Sequence, residues 1–140
     1  MNRDQFFSWA ASRSDSLEVW KECIDMAGDI NAGIMLSQIV SWHLSSNENA
    51  QTELWAKRGD HLWLVKAHTD WYDEIRFTAD QARRALRVLE EKKLVITKVH
   101  QFNGTPTKHI RINWPAFWKA WESVLSAGSE QAGDLGKDAE

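Results

Sequence analysis

The chain has one cysteine, two prolines and one tyrosine in 140 residues, and each scarcity excludes something. A lone thiol cannot close an internal disulfide, so a disulfide-stapled secreted domain is excluded and a reducing, cytoplasmic setting is expected. Cys23 then reads as a buried structural thiol. Few prolines and seven glycines exclude a proline- or glycine-rich low-complexity chain. No apolar run approaches the roughly 18 to 20 residues of a membrane span, and the opening MNRDQFFSWAASRSDS lacks the apolar centre of a signal peptide. No membrane partner is expected. Positive charge is also in deficit, with 17 Lys and Arg against 20 Asp and Glu, which excludes a globally basic protein.

Catalytic signatures are missing as well. There is no glycine-rich phosphate loop and no nucleophile elbow. His43, His61, His68, His100 and His109 show no ligand spacing with each other or with Cys23, so no metal is expected. His100 and His109 are placed to face each other across a hairpin, which does not make a zinc site. Carboxylate pairs such as Asp73-Glu74 and Glu90-Glu91 read as helix-surface charge rather than a shielded acid–base pair. The expectation is a protein that is not an enzyme and carries no cofactor. The Arg58-Gly59-Asp60 triplet, three residues in a cytoplasmic-type chain, carries no weight as an adhesion motif.

What is present is unevenly distributed. Residues 1–56 hold three basic against eight acidic side chains, and residues 112–140 hold two against five. Residues 57–111 hold twelve against seven, a local excess of positive charge. Screening confines charge attraction to about 8 to 10 Å, so a local patch serves a polyanion better than a high overall isoelectric point.

The stretch from Thr69 to Lys93 lies within that patch and reads as two helices around a tight turn. Thr69 is the expected cap of the first, with Asp70, Asp73 and Glu74 near its positive end. Ile75-Arg76-Phe77 closes it, and Thr78 caps the second. In the second helix, expected over 78–93, Ala82, Ala85, Leu86 and Leu89 form an inward stripe. Gln81, Arg83, Arg84 and Arg87 face outward.

Elsewhere, Asp4 to Ala11 is a short amphipathic helix carrying Phe6, Phe7 and Trp9, expected to pack on the domain or on a second copy. A helix capped by Asp15 or Ser16 runs through Met26 and ends at Gly28, with a strand over Leu17 to Trp20 as the competing reading. INAGIMLSQIVSWHL is apolar around most of its circumference and belongs at the centre of a fold. Ser45 to Asp60 is polar and irregular, a functional or mobile loop by its length. Leu62 to Lys66 is a short strand. Leu94 to His100 and His109 to Trp114 alternate as strands of a hairpin around Asn103-Gly104. A two-residue turn there pairs Val95 with Ile112, whereas an odd loop puts Ile96 inside. Pro106 argues for an irregular tip. Pro115 opens a final helix with Trp114, Trp118, Trp121 and Leu125 along one side, read as core or as a self-association surface rather than as a row that stacks bases. Residues 126–140 are small and polar and read as a disordered tail.

INAGIMLSQIVSWH, LWLVKAHTDWYDEI, TADQARRALRVLEEKKLVI and HIRINW together resemble the winged helix-turn-helix domains of phage and plasmid replication and regulatory proteins, over roughly Gly28 to Glu122. The resemblance implies a mainly α fold with a small β-hairpin (α+β). Residues 1–27, rich in aromatics, and the polar insertion around Ser45 to Asp60 depart from it, and 1–27 reads as an N-terminal helical extension. The winged helix-turn-helix domain would span 28–125, with a C-terminal helix and then a tail at 126–140. The resemblance implies a double-stranded DNA-binding regulator or replication accessory factor of a mobile element. A homodimer through the aromatic-rich terminal helices is expected on other grounds, because paired half-sites are the usual solution for a lone recognition helix and an exposed apolar stripe marks an interface. The helix from Thr78 would enter the major groove, with Gln81 reading adenine and Arg83, Arg84 or Arg87 contacting guanine or phosphate. Thr78 would touch the backbone. Lys66 and His68 before the first helix, and Lys98, Thr105, Thr107 and Lys108 on the wing, would hold phosphates. The alternative is a winged helix used as a protein-interaction module without DNA, such as a phage-encoded inhibitor of a host protein.

Overall fold

The computed structural model describes residues 1–45 and 55–138. The architecture is α+β, with helices packed on one face of a small antiparallel sheet. Helix α1 spans Arg3–Ala11, α2 Lys21–Ala27 and α3 Ile30–Ser45. Strands β1 (Trp55–Arg58) and β2 (His61–Val65) follow, then a 3₁₀ turn at His68–Trp71 running into α4 (Tyr72–Ile75). Helix α5 spans Ala79–Glu91, β3 Val95–Phe102, β4 Thr105–Ile112 and α6 Trp114–Asp138.

Helix α3 is the central rod, as its apolar circumference implies. Ala32, Met35, Leu36, Ile39 and Val40 are buried, while Ile30 and Leu44 at its ends are exposed. Gly33 permits the tight crossing with α2: a Cβ there would lie 2.4 Å from the Cα of Ile24. Cys23, Met26 and Ala27 of α2 are buried in that contact, so α2, within the extension read at 1–27, is part of the core. Its start differs from expectation. The helix begins at Lys21 with Trp20 as cap, and residues 13–20 form neither helix nor strand. The Trp20 amide donates to Ser37 Oγ at 3.0 Å, a tertiary contact that supersedes the local capping offered by Asp15 or Ser16. Helix α1 buries no residue, so the expected packing on its own domain is absent.

The sheet order is β1-β2-β4-β3, antiparallel throughout. The segment expected to be an irregular loop contains a strand. Arg58 pairs with His61 across Gly59-Asp60, with Gly59 at φ +63°, as a two-residue hairpin requires. Residues 46–54 of that expected loop lie outside the described residues. At the second hairpin Asn103 (φ +51°) and Gly104 (φ +80°) form the two-residue turn, and Val95 pairs with Ile112. Pro106 does not break the ladder. It lies opposite Gln101, one pair beyond the turn, where an antiparallel ladder makes no hydrogen bond and the missing N–H is not needed.

The inner face of the sheet contributes Leu64, Val95, Ile110 and Ile112 to the core shared with α3 and α5. Helix α5 supplies Ala82, Ala85, Leu86 and Leu89, all buried at the expected spacing. Helix α6 packs through Phe117, with Ala120, Trp121 and Val124 partly buried. Of the stripe read as core or self-association surface, Trp114, Trp118 and Leu125 are exposed rather than core, because the buried arc of α6 is centred on Phe117. The helix continues to Asp138, so residues 126–138 extend it rather than forming a tail; no proline interrupts them and the first turns are anchored.

The first helix of the central pair is shorter than its sequence implies. Thr69 does not cap it. Asp70 Oδ2 accepts from the Ala67 amide at 2.8 Å, and one 3₁₀ turn leads into one α turn that ends at Arg76 (φ +62°). So short an element has no intrinsic stability; it is held by Trp71, Ile75 and Phe77 in the core and by Glu74. The Glu74 carboxylate accepts from Trp42 Nε1 at 3.0 Å and Gln38 Nε2 at 3.3 Å, and it pairs with Lys66 Nζ. Lys66 is 2% exposed, with its ammonium 4.2 Å from the Trp71 ring centre and 5.5 Å from that of Trp42. Removing one partner of a buried pair leaves the other charge uncompensated, which typically costs about 3 to 5 kcal/mol. Glu74→Gln is therefore expected to lower unfolding stability by about 3 kcal/mol in urea titrations, and Lys66→Met with Glu74→Leu to recover most of it. A Glu74→Gln protein as stable as the parent would contradict this account of the pair.

Candidate nucleic-acid interface

Helix α5 begins with a capping box. Thr78 Oγ1 accepts from the Gln81 amide at 3.2 Å, and Gln81 Oε1 accepts from the Thr78 amide at 2.9 Å. Thr78 is therefore the cap, as its sequence position implies, and the same bonds limit Gln81. Bidentate reading of adenine needs both the oxygen and the nitrogen of the side-chain amide, and the oxygen already closes the helix end.

The three arginines differ in their surroundings. Arg83 Nη1 lies 2.6 Å from Asp80 Oδ1, one turn back on the same exposed surface. Arg84 Nε donates to the backbone carbonyl of Asp80 at 3.4 Å. Arg87 has no hydrogen bond or ion pair to any of the described residues. All three are exposed, on the side of α5 away from its buried stripe. Arg84 and Arg87 also line a groove of about 420 Å³ whose other wall is Asp29 and Asn31 at the start of α3. Asp29 Oδ2 caps that helix by accepting from the Ala32 amide at 2.9 Å.

A second positive locus forms where α5 meets the hairpin. Glu90 Oε1 accepts from Thr97 Oγ1 at 3.1 Å and lies 3.6 Å from Lys108 Nζ, tying β3 and β4 to the end of α5. His68 lies within the fields of Lys108 and Arg83. Burial first, and then those two cations, lower its pKa from the usual histidine value. His68, Arg83 and Lys108 thus form one neighbourhood.

Other residues expected at the interface are elsewhere. Lys66 is buried against Glu74 and two tryptophans, so it is unavailable to an external phosphate. Its position at the end of a short strand gives no sign of that partner, which is set by tertiary packing. Lys98 is exposed but pairs with His109, whereas Lys108 pairs with Val99. The two lysines therefore project from opposite faces of the hairpin. Thr105 is exposed, and Thr107 Oγ1 donates to the Thr105 carbonyl at 3.0 Å; both lie on the face that carries Lys98. Sequence reasoning misses Arg58 as a neighbour of the hairpin. From the end of β1 its Nη2 donates to the Gln101 carbonyl at 2.7 Å, adding a guanidinium beside the hairpin. Gly59-Asp60 was the available signal, a glycine-first two-residue turn. Arg76 at the turn before α5 is likewise exposed, its guanidinium 5.1 Å from the Tyr72 ring centre.

Behind Lys98, the outer face of the sheet carries an aromatic and histidine cluster. The His100 and His109 rings are 5.0 Å apart, Trp63 packs 6.3 Å from His100, and the Arg111 guanidinium sits 5.2 Å from the Trp63 ring centre. The facing pair expected on the hairpin is therefore real, and among the described residues no group of three or more candidate ligands gathers to hold a metal. His109 is fully buried. Its Nδ1–H donates to the Thr107 carbonyl at 2.9 Å, and Nε2 has no partner among the described residues, so a proton on Nε2 would be unsatisfied there. Burial lowers the pKa of His109, and it also lowers those of His43 and His68. A depressed folded-state value means that the unfolded chain binds the proton more readily. Stability is therefore complete above about 6.5, the unfolded histidine value, and is lost as pH falls from there toward the folded values. Melting temperature is expected to drop between pH 7 and 5.5, where carboxylates stay ionised, and His109→Gln is expected to flatten that drop. Equal slopes for the parent and His109→Gln would remove His109 from the account.

No helix among the described residues is long and apolar enough to cross a membrane. No protein-family model matches the chain and no curated protein matches it, so its own geometry carries the functional reading.

Proposed function

We propose that the protein is a double-stranded DNA-binding protein of winged helix-turn-helix type, acting as a regulator or replication accessory factor of a mobile element without catalysis of its own. Helix α5 is the recognition helix and β3–β4 the wing. The order helix, β1–β2 hairpin, short helix, turn, helix, β3–β4 hairpin supports this reading, together with the central placing of β4 between β2 and β3. The observation that carries it is the pair Arg84 and Arg87. Both are exposed opposite the buried stripe of α5, and neither forms an ion pair with a described carboxylate.

In this reading Arg84 and Arg87 make the guanine or phosphate contacts, a good bidentate contact being worth about 1 to 3 kcal/mol of discrimination. His68, Arg83 and Lys108 follow the phosphates alongside, with Arg83 exchanging Asp80 for a phosphate. The amides and hydroxyl at Thr78 meet the backbone at the positive helix end. Lys98, Thr105 and Thr107 meet a different part of the duplex from Lys108, since they occupy the other face of the wing.

A second reading, a winged helix used to bind another protein, is favoured by the exposed Phe6, Phe7 and Trp9 of α1. Mobility shifts with duplex DNA at two salt concentrations separate the readings. DNA binding predicts affinity that falls steeply with salt. Arg84→Ala with Arg87→Ala should then weaken binding at least about tenfold and shallow the salt slope by about one unit for each phosphate no longer held. No shift at low salt supports the protein-binding reading, and a shift unaffected by the double substitution removes α5 as the reader.

A further inference from the structure

We propose that two copies of this chain form a reciprocal dimer, in which α1 of each copy docks into the apolar groove between α3 and α6 of the other. The inference deepens the DNA-binding reading and rests on it for its purpose, since a two-fold protein pairs two recognition helices with two half-sites.

Helix α1 is built to be used and unused within its own chain. Asn2 and Gln5 close its first turn with reciprocal bonds of 2.8 and 2.9 Å. Helical spacing sets Phe6, Phe7, Trp9 and Ala10 on one side. The aromatic trio is 48%, 53% and 49% exposed. A nine-residue helix is marginal alone in water, so a surface that covers those rings is what would hold it.

The matching surface lies where α3 ends and α6 begins. Val40 and Phe117 floor a groove of about 210 Å³, rimmed by Leu44, Trp114 and Trp118, with Leu44 70% and Trp118 51% exposed. Trp20 lines the same groove and is pinned through its amide to Ser37, so the tether over 12–20 is anchored at the groove's edge. Nine extended residues reach about 30 Å, enough to deliver α1 to a neighbouring copy. The charges agree: Arg3 and Arg13 flank the α1 rings, each 5.2 Å from a ring centre, and Glu122 lies one helical turn from Trp118.

The area is sufficient only when the contact is made twice. Aromatic side chains bury about 150 to 250 Å² each. Phe6, Phe7, Trp9, Trp114 and Trp118, roughly half-exposed, therefore bring about 500 Å² to one contact, and a two-fold axis doubles this to about 1,000 Å², near the lower bound of a specific interface.

Sedimentation equilibrium of the full chain tests the arrangement. The parent is expected to be a dimer. Two variants that alter only exposed side chains, Phe6→Ser with Phe7→Ser and Trp9→Ser, and separately Trp118→Glu, are each expected to weaken it on the order of 100-fold, with circular dichroism changed by no more than the melting of α1. A dimer that survives the α1 variant is not made by α1, and one that survives Trp118→Glu does not use the groove; either result overturns the proposal. A monomeric parent overturns it too, including one whose melting temperature falls in the α1 variant because α1 folds back onto its own chain. Mobility shifts on the same samples keep the two claims apart: salt-dependent DNA binding by a monomeric parent would sink the dimer and leave the DNA-binding reading standing.

Discussion

The ion pair between Lys66 and Glu74 joins three elements that local sequence would leave loosely associated. Lys66 follows the last residue of β2, Glu74 lies on the single turn of α4, and the carboxylate also accepts from Trp42 and Gln38 on α3. Burial works against the lysine charge and lowers its pKa, an effect that Glu74 opposes. The site is tolerable because the ammonium also has the faces of Trp71 and Trp42. Such a pair is weak evidence for net stability, but it allows few geometries. An α4 of one turn cannot orient itself, so the position of α5 beyond Arg76 depends on this clamp and on Trp71, Ile75 and Phe77 beneath it.

The surface of α5 is a compromise between folding and the binding proposed for it. Asp80 favours the positive end of the helix dipole and engages Arg83. Glu90 fastens the wing to α5 through Thr97 and Lys108. Asp80 and Glu90 thus also neutralise cations that the proposed polyanion would engage, which leaves Arg84 and Arg87 as the most available charges on α5. For a protein with net charge −3, the proposed binding is therefore local and orientation-dependent, with acidic regions on either side of the basic segment in sequence.

The tryptophans divide by burial. Trp63 and Trp71 are buried within the fold, one on the outer face of the sheet and one beneath α4. Trp9, Trp114 and Trp118 remain half in water, an arrangement that the monomer gives no reason for and that an interface would.

How much of this was legible in the sequence follows the range of the forces involved. The capping box at Thr78, the buried stripe of α5, the end of α2 at Gly28 and the Asn103-Gly104 turn depend on neighbours within a few residues, and they are found where the sequence puts them. The register followed from the turn, and with it the opposite facing of Lys98 and Lys108, a consequence of the two-residue strand period that needed only the loop length to be known. Tertiary structure alone decided that Lys66 is buried, because its partner is chosen by how β2, α4 and α3 converge. It also decided that α2 begins at Lys21, through the bond from Trp20 to Ser37, and that the buried arc of α6 centres on Phe117 rather than on the tryptophan row. Spacing names the residues that share a helix face, but only packing chooses which face is covered.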